Sequence, residues 1–231
     1  MITISLFGLT SILCFGLPVF VIVLFRLYRH TSLIALALYY SLTIIHCINA
    51  ESIPPVPDFK NPFEVAYLYL EIPLILTALL FFCPVKQRQR NMHMLIAFFI
   101  AYEAAISLFA GFTAKASVYI MAPGLMVVVL YAAFLFLRQL KFTLMHGKNI
   151  GRVLMLGAIL FSYTAYLFVF YTYFIQEQTE IAGIYNLYFV SSTIAALLMS
   201  VGLFMMRYRI KELQELKVVR RELQMVFGSP L

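Results

Sequence analysis

Two carboxylates interrupt long apolar runs of this chain: Glu71 in YLYLEIPLIL and Glu103 in AYEAAISLFA. A carboxylate in hydrocarbon costs several kcal/mol unless it is protonated, paired or facing water, so an acid at such depth points to ion or ligand chemistry. On the helical face of Glu71 stand Tyr67, four residues before, and Glu64, seven before. Pro73 frees the carbonyl of Tyr69 by removing the amide that would have bonded it. The segment around Glu71 therefore turns a bent, polar outer half inward. The structural alternative for both acids is a neutral carboxylic acid hydrogen-bonded to a neighbouring helix.

Other polar groups recur at the same period. Tyr39, Thr43, His46 and Asn49 are spaced by four, three and three residues and so share one helical face. Tyr163, Tyr166, Phe170 and Tyr173 form a second stripe, and Tyr185, Tyr188 and Ser192, beside Asn186 and Thr193, a third. Aromatic stripes also serve packing, and Tyr173 and Tyr185 suit the aromatic belt at a membrane surface. The candidate ligand-binding or proton-titrating residues are Glu71, Glu103, His46, Tyr39, Thr43, Asn49, Tyr67, Tyr163, Tyr166, Asn186, Tyr188 and Ser192. They gather toward one end of otherwise apolar segments, the arrangement of an outward-facing pocket lined by aromatic and a few convergent polar groups.

The elements that position them are set by composition. Of the 231 residues 63% are hydrophobic and 12% charged, against about 25% charged in a soluble domain, which excludes a water-soluble globule. A membrane helix takes roughly 20 apolar residues. Apolar runs predict spans at 4–25, 32–50, 65–84, 93–113, 117–137, 153–175 and 183–206. The fold class is therefore all-α, a polytopic seven-helix bundle, because a membrane barrel would show alternating segments of about ten residues. Ala97, Ala101 and Ala105 on span four form a small-residue face that suits close helix packing.

Fifteen of the 17 Lys and Arg residues fall in alternate connections: Arg26 and Arg29, Lys86 to Arg90, Arg138 to Arg152, and everything from Arg207 onward. Positive charge stays in the cytoplasm during insertion, which predicts an outside amino terminus and an inside carboxyl terminus. The amino terminus lacks the basic region of a cleaved signal peptide and reads as the first span. Four prolines in 51–64 favour a stiff, extended outer loop. Residues 1–206 form the transmembrane domain and 207–231 a basic cytoplasmic tail. In that tail Leu213, Leu216, Val219, Leu223 and Val226 make an amphipathic stripe for an anionic leaflet or a partner helix, with residues 207–227 as the partner surface.

Several chemistries lack their parts. A retinal Schiff base needs a lysine in the last span, and 183–206 has none. Haem between helices needs paired histidines, and only His46 lies well inside a span. Cys14, Cys47 and Cys83 have neither the spacing of a metal site nor an even count. No HExxH, GxSxG or P-loop pattern occurs and no nucleophile pairs with a base, so neither enzyme nor cofactor is expected. The position of the basic residues argues against nucleic acid. These readings favour a receptor-like sensor in the plasma (cytoplasmic) membrane, binding a small ligand or partner from outside and signalling through its tail. The alternatives are a proton- or ion-coupled carrier of small solutes using Glu71 and Glu103, and an accessory subunit of a larger membrane complex.

Overall fold

The computed structural model describes residues 6–52, 62–83, 85–147, 149–174 and 186–208. Among these residues the chain is helical throughout, without strands. The helices are α1 (Leu6–Leu24), α2 (Thr31–Ser52), α3 (Pro62–Leu79), α4 (Lys86–Ala110), α5 (Ala114–His146), α6 (Ile150–Phe174) and α7 (Asn186–Tyr208). Six of them, α2 to α7, are long and apolar enough to cross a membrane, and α1 is a shorter apolar helix. This is a multi-pass integral membrane protein, with seven helices among the described residues.

Sequence explains where the helices stop. Gly111 takes φ 70 after α4, and Thr113 opens α5 by accepting the Ala116 N–H on its hydroxyl at 3.3 Å. Gly147 ends α5 in the left-handed conformation, φ 62, with its N–H bonded to the Thr143 carbonyl at 2.8 Å. A 3-10 turn, Leu27–Arg29, joins α1 to α2, and another, Leu80–Phe82, continues α3.

Two helix boundaries depart from the sequence expectation. Helix α4 begins at Lys86 instead of 93, and α5 runs to His146 instead of 137. Apolar runs locate the membrane, whereas Lys, Arg and Gln are good helix formers that let a helix continue into water. At 33 residues, α5 is about 50 Å long against a hydrocarbon core of about 30 Å, so its Arg138–Lys141 end projects beyond the apolar layer. Of the tail, only Arg207 and Tyr208 fall within the described residues. The amphipathic helix expected beyond them lies outside those residues, as does most of the Pro-rich loop.

Neighbouring helices close in the order α1, α2, α3, α5, α6, α7. Helices α1 and α2, α2 and α3, α3 and α5, and α5 and α6 pack side by side. Closure comes from α7, where Ser11 of α1 shares a hydrogen bond with Thr193 at 3.2 Å and Phe25 meets Phe204 edge-on at 5.9 Å. Helix α7 also packs on α6 at two glycines. A β-carbon on Gly151 would lie 2.7 Å from the Gly202 carbonyl oxygen, and one on Gly202 would lie 2.6 Å from Met155 Cγ. Only residues without a side chain allow that approach.

Helix α4 stands outside this ring, against α3 and α5. It buries Met92, Phe99 and Glu103, while Phe109 is 92% and Leu108 86% exposed, which is normal for side chains facing lipid. Ala97, Ala101 and Ala105 are exposed as well, so the small-residue face expected to pack is turned away from the bundle. Bulkier Met92 and Phe99, with Gly124 of α5 beneath Phe99, bury more apolar area, and that face docks instead.

Candidate functional site

Helix α3 is enclosed by its neighbours, with Ile72, Ile75, Leu76 and Leu79 at most 1% exposed. That position forces Glu71 inward, and it too is only 1% exposed. Its Oε1 accepts a hydrogen bond from the Tyr163 hydroxyl of α6 at 3.1 Å. Its Oε2 is buried and has no partner. Buried polar atoms are nearly always bonded, so each exception calls for an explanation such as a bound ion, water or ligand.

Tyrosines surround this carboxyl. The hydroxyls of Tyr39 on α2, Tyr67 on α3, Tyr163 on α6 and Tyr188 on α7 all lie within electrostatic reach of Glu71. Their rings connect into a wall, with Tyr39 to Tyr163 at 6.5 Å, Tyr163 to Tyr166 at 6.4 Å and Tyr166 to Tyr188 at 5.1 Å between centroids. Tyr40, which the sequence stripes did not single out, backs the wall edge-on to Tyr39 at 5.1 Å. Its signal was the doubled Tyr39–Tyr40 pair, since adjacent residues on a helix diverge and one of two must leave the stripe.

Toward the end of α3 that carries Glu64, Thr43 closes the cluster. Its hydroxyl donates to the Tyr39 carbonyl at 2.9 Å and lies 3.3 Å from the Tyr67 hydroxyl. The His46 ring stacks flat on Tyr67, 4.5 Å between centroids and 7° between planes, and its Nδ1 is buried without a partner. Ser192 of α7 sets its buried Oγ beside the Tyr188 hydroxyl. Helices α2 and α3 thus each carry one buried polar atom without a partner, His46 Nδ1 and Glu71 Oε2, close to these tyrosines.

Not every candidate joins. Asn186 is exposed and Asn49 is half-buried at the far end of its stripe. Glu103 lies on α4, outside the ring, 7% exposed and with Oε1 unpartnered. Near it Ser107 donates to the Tyr69 hydroxyl at 3.1 Å, joining α4 to the other face of α3. The two acids therefore occupy separate places. The side chains of Tyr173 and Tyr185 fall outside the described residues.

The opposite end of the bundle is held by guanidinium groups on aromatic faces. Arg207 lies over Phe25, Phe204 and Tyr208 at 4.2, 4.4 and 4.5 Å, Arg152 over Phe81 at 5.5 Å and Arg88 over Phe134 at 5.8 Å. Such contacts let a cation stay at a helix end while its stem and neighbours remain apolar. Cys14, Cys47 and Cys83 form no disulfide among the described residues. Among the described residues no group of three His, Cys, Asp or Glu side chains is placed to hold a metal ion.

No protein-family model, curated protein or solved structure matches this chain. The geometry of the cluster therefore carries the functional reading.

Proposed function

We propose that this protein is a seven-helix membrane sensor that binds a small molecule at the Glu71 cluster and passes the change to its basic tail. One observation supports it above the others: a carboxyl 1% exposed, with one oxygen held by Tyr163 and the other free, at the meeting point of α2, α3, α6 and α7. Fully satisfied interhelical glue would leave no such atom. In this reading the basic ends of the helices face the cytoplasm, as the distribution of Lys and Arg requires, and the cluster opens to the outside of a plasma membrane. Movement of α7 reaches the tail directly, since Tyr188 and Ser192 sit on the same helix as Arg207.

A proton-coupled carrier is the second reading, favoured by the unpartnered Oε1 of Glu103. Vesicles containing the reconstituted protein and a trapped pH dye separate the two. A sensor supports no solute-driven proton flux when a cell extract of molecules below 1 kDa is added, while a fluorophore on a Ser229→Cys variant changes its polarisation. Proton flux that disappears in Glu103→Gln would replace the sensor by the carrier.

A further inference from the structure

The cluster's chemistry goes further than the presence of a site. We propose that it takes an organic cation, an amine or quaternary ammonium group held between the free carboxyl oxygen of Glu71 and the faces of the surrounding tyrosines. The inference rests on the reading of this cluster as a ligand site and adds the class of ligand.

Three observations converge. First, the unsatisfied atom at the centre is a carboxyl oxygen: Glu71 Oε1 already accepts from Tyr163, and Oε2 is buried without a partner, so a bound cation would hold the group as a carboxylate. A ligand that donates or carries positive charge completes it, whereas an anion is repelled. Secondly, the helices that carry the cluster bring no lysine or arginine to it among the described residues. Helices α2 and α3 contain no Lys or Arg, α6 only Arg152 and α7 only Arg207, and both of these are occupied with aromatic rings at the other end of the bundle. His46 is stacked on Tyr67 and makes no bond to Glu71. Thirdly, the surroundings are aromatic. The rings of Tyr39, Tyr163 and Tyr188 are linked through Tyr166, and the Tyr67 ring stacks on His46. Aromatic faces around a desolvated site attract ammonium groups through the ring quadrupole, and an enclosed carboxylate adds the Coulomb partner that a buried cation needs.

The protein contains no tryptophan and 15 tyrosines, so thermal unfolding in lipid nanodiscs can be followed by tyrosine fluorescence. The probes are tetramethylammonium, choline and benzyltrimethylammonium chlorides, compared at equal ionic strength with 3,3-dimethylbutan-1-ol, the uncharged isostere of choline. Expected is a saturable rise of a few degrees in Tm with at least one ammonium, none with the alcohol, and loss of the rise in Glu71→Gln. The comparison of charged and uncharged probes is made on the unaltered protein and stands even if Glu71→Gln fails to fold. An equal rise with the alcohol, no rise with any ammonium, or a full rise retained in Glu71→Gln overturns the proposal. If no ammonium acts but a neutral or anionic fraction of a cell extract stabilises the protein in a Glu71-dependent way, the sensor reading survives and the cation is wrong. If an ammonium binds through Glu71 while the fluorophore at position 229 stays silent, the cation stands and the sensor reading falls.

Discussion

The Tyr163 hydroxyl reaches across the helical ring and donates to Glu71 Oε1 over 3.1 Å, joining residues 92 positions apart. Among the described residues it is the one direct bond to a carboxyl whose second oxygen has no partner. Replacing Tyr163 by Phe keeps the ring and deletes the donor, so Glu71 is left wholly unsatisfied. The expected cost is about 1–3 kcal/mol, read as a lower thermal midpoint in detergent with unchanged helical circular dichroism. Combined with Glu71→Gln the loss should be less than additive, since both changes act on one bond. Additive losses would mean that the bond contributes nothing.

A second prediction concerns the seam between α6 and α7. A methyl group on Gly202 meets Met155 Cγ at 2.6 Å and the Gly151 carbonyl at 2.8 Å, whereas one on Gly16 of α1 meets nothing within 4 Å. Gly202→Ala should therefore destabilise by about 1–3 kcal/mol, the usual penalty of overpacking. Gly16→Ala should stabilise by up to about 1 kcal/mol, through the reduced freedom of the unfolded chain and better helix propensity. Midpoints measured side by side test the pair, and equal effects would contradict the close approach.

Arg207 supplies a third. With three aromatic rings within 4.5 Å of its guanidinium carbon and a 2.9 Å bond to the Tyr208 hydroxyl, it clasps the end of α7 to α1. Arg207→Gln should cost about 1–2 kcal/mol. Arg207→Lys should recover only part of it, because an ammonium lacks the planar face that stacks. Full rescue by lysine, in the same melts, would show that charge alone matters there.

Membrane orientation gives a fourth. Cysteines introduced as Lys60→Cys and Lys148→Cys should react differently with a membrane-impermeant maleimide. The first is expected to label in intact cells and the second only after permeabilisation. Among the native thiols Cys47 and Cys83 are buried and Cys14 half-buried, so background should be low. The reverse pattern would invert the proposed direction.

Much of the architecture was legible because apolar runs long enough to span a bilayer have few alternatives to a helix. Their ends were less so, since residues such as Lys86 to Arg90 and Arg138 to Lys141 leave the apolar run while continuing the helix. Periodicity put Tyr39, Thr43 and His46 on one face of α2, and the helix carries all three toward Tyr67 or Tyr163. The pairing of Glu71 with Tyr163 was invisible, because it depends on which helices are neighbours. The same ignorance misled the reading of α4: the alanines suit a tight interface, but the side facing α3 and α5 is decided by where Phe99 and Glu103 fit.

The placement of α4 has a consequence for how the chain can be divided. Helices α3 and α5 touch without it, so the six-membered wall around Glu71 is complete without the fourth helix as a member. Two polypeptides cut at Gly111, residues 1–110 and 111–231, would each keep contiguous stretches of that wall and meet along α3 and α5 at one side and along α1 and α7 at the other. Co-expressed, such halves should reassemble into one detergent-stable particle, each unable to complete the tyrosine enclosure alone.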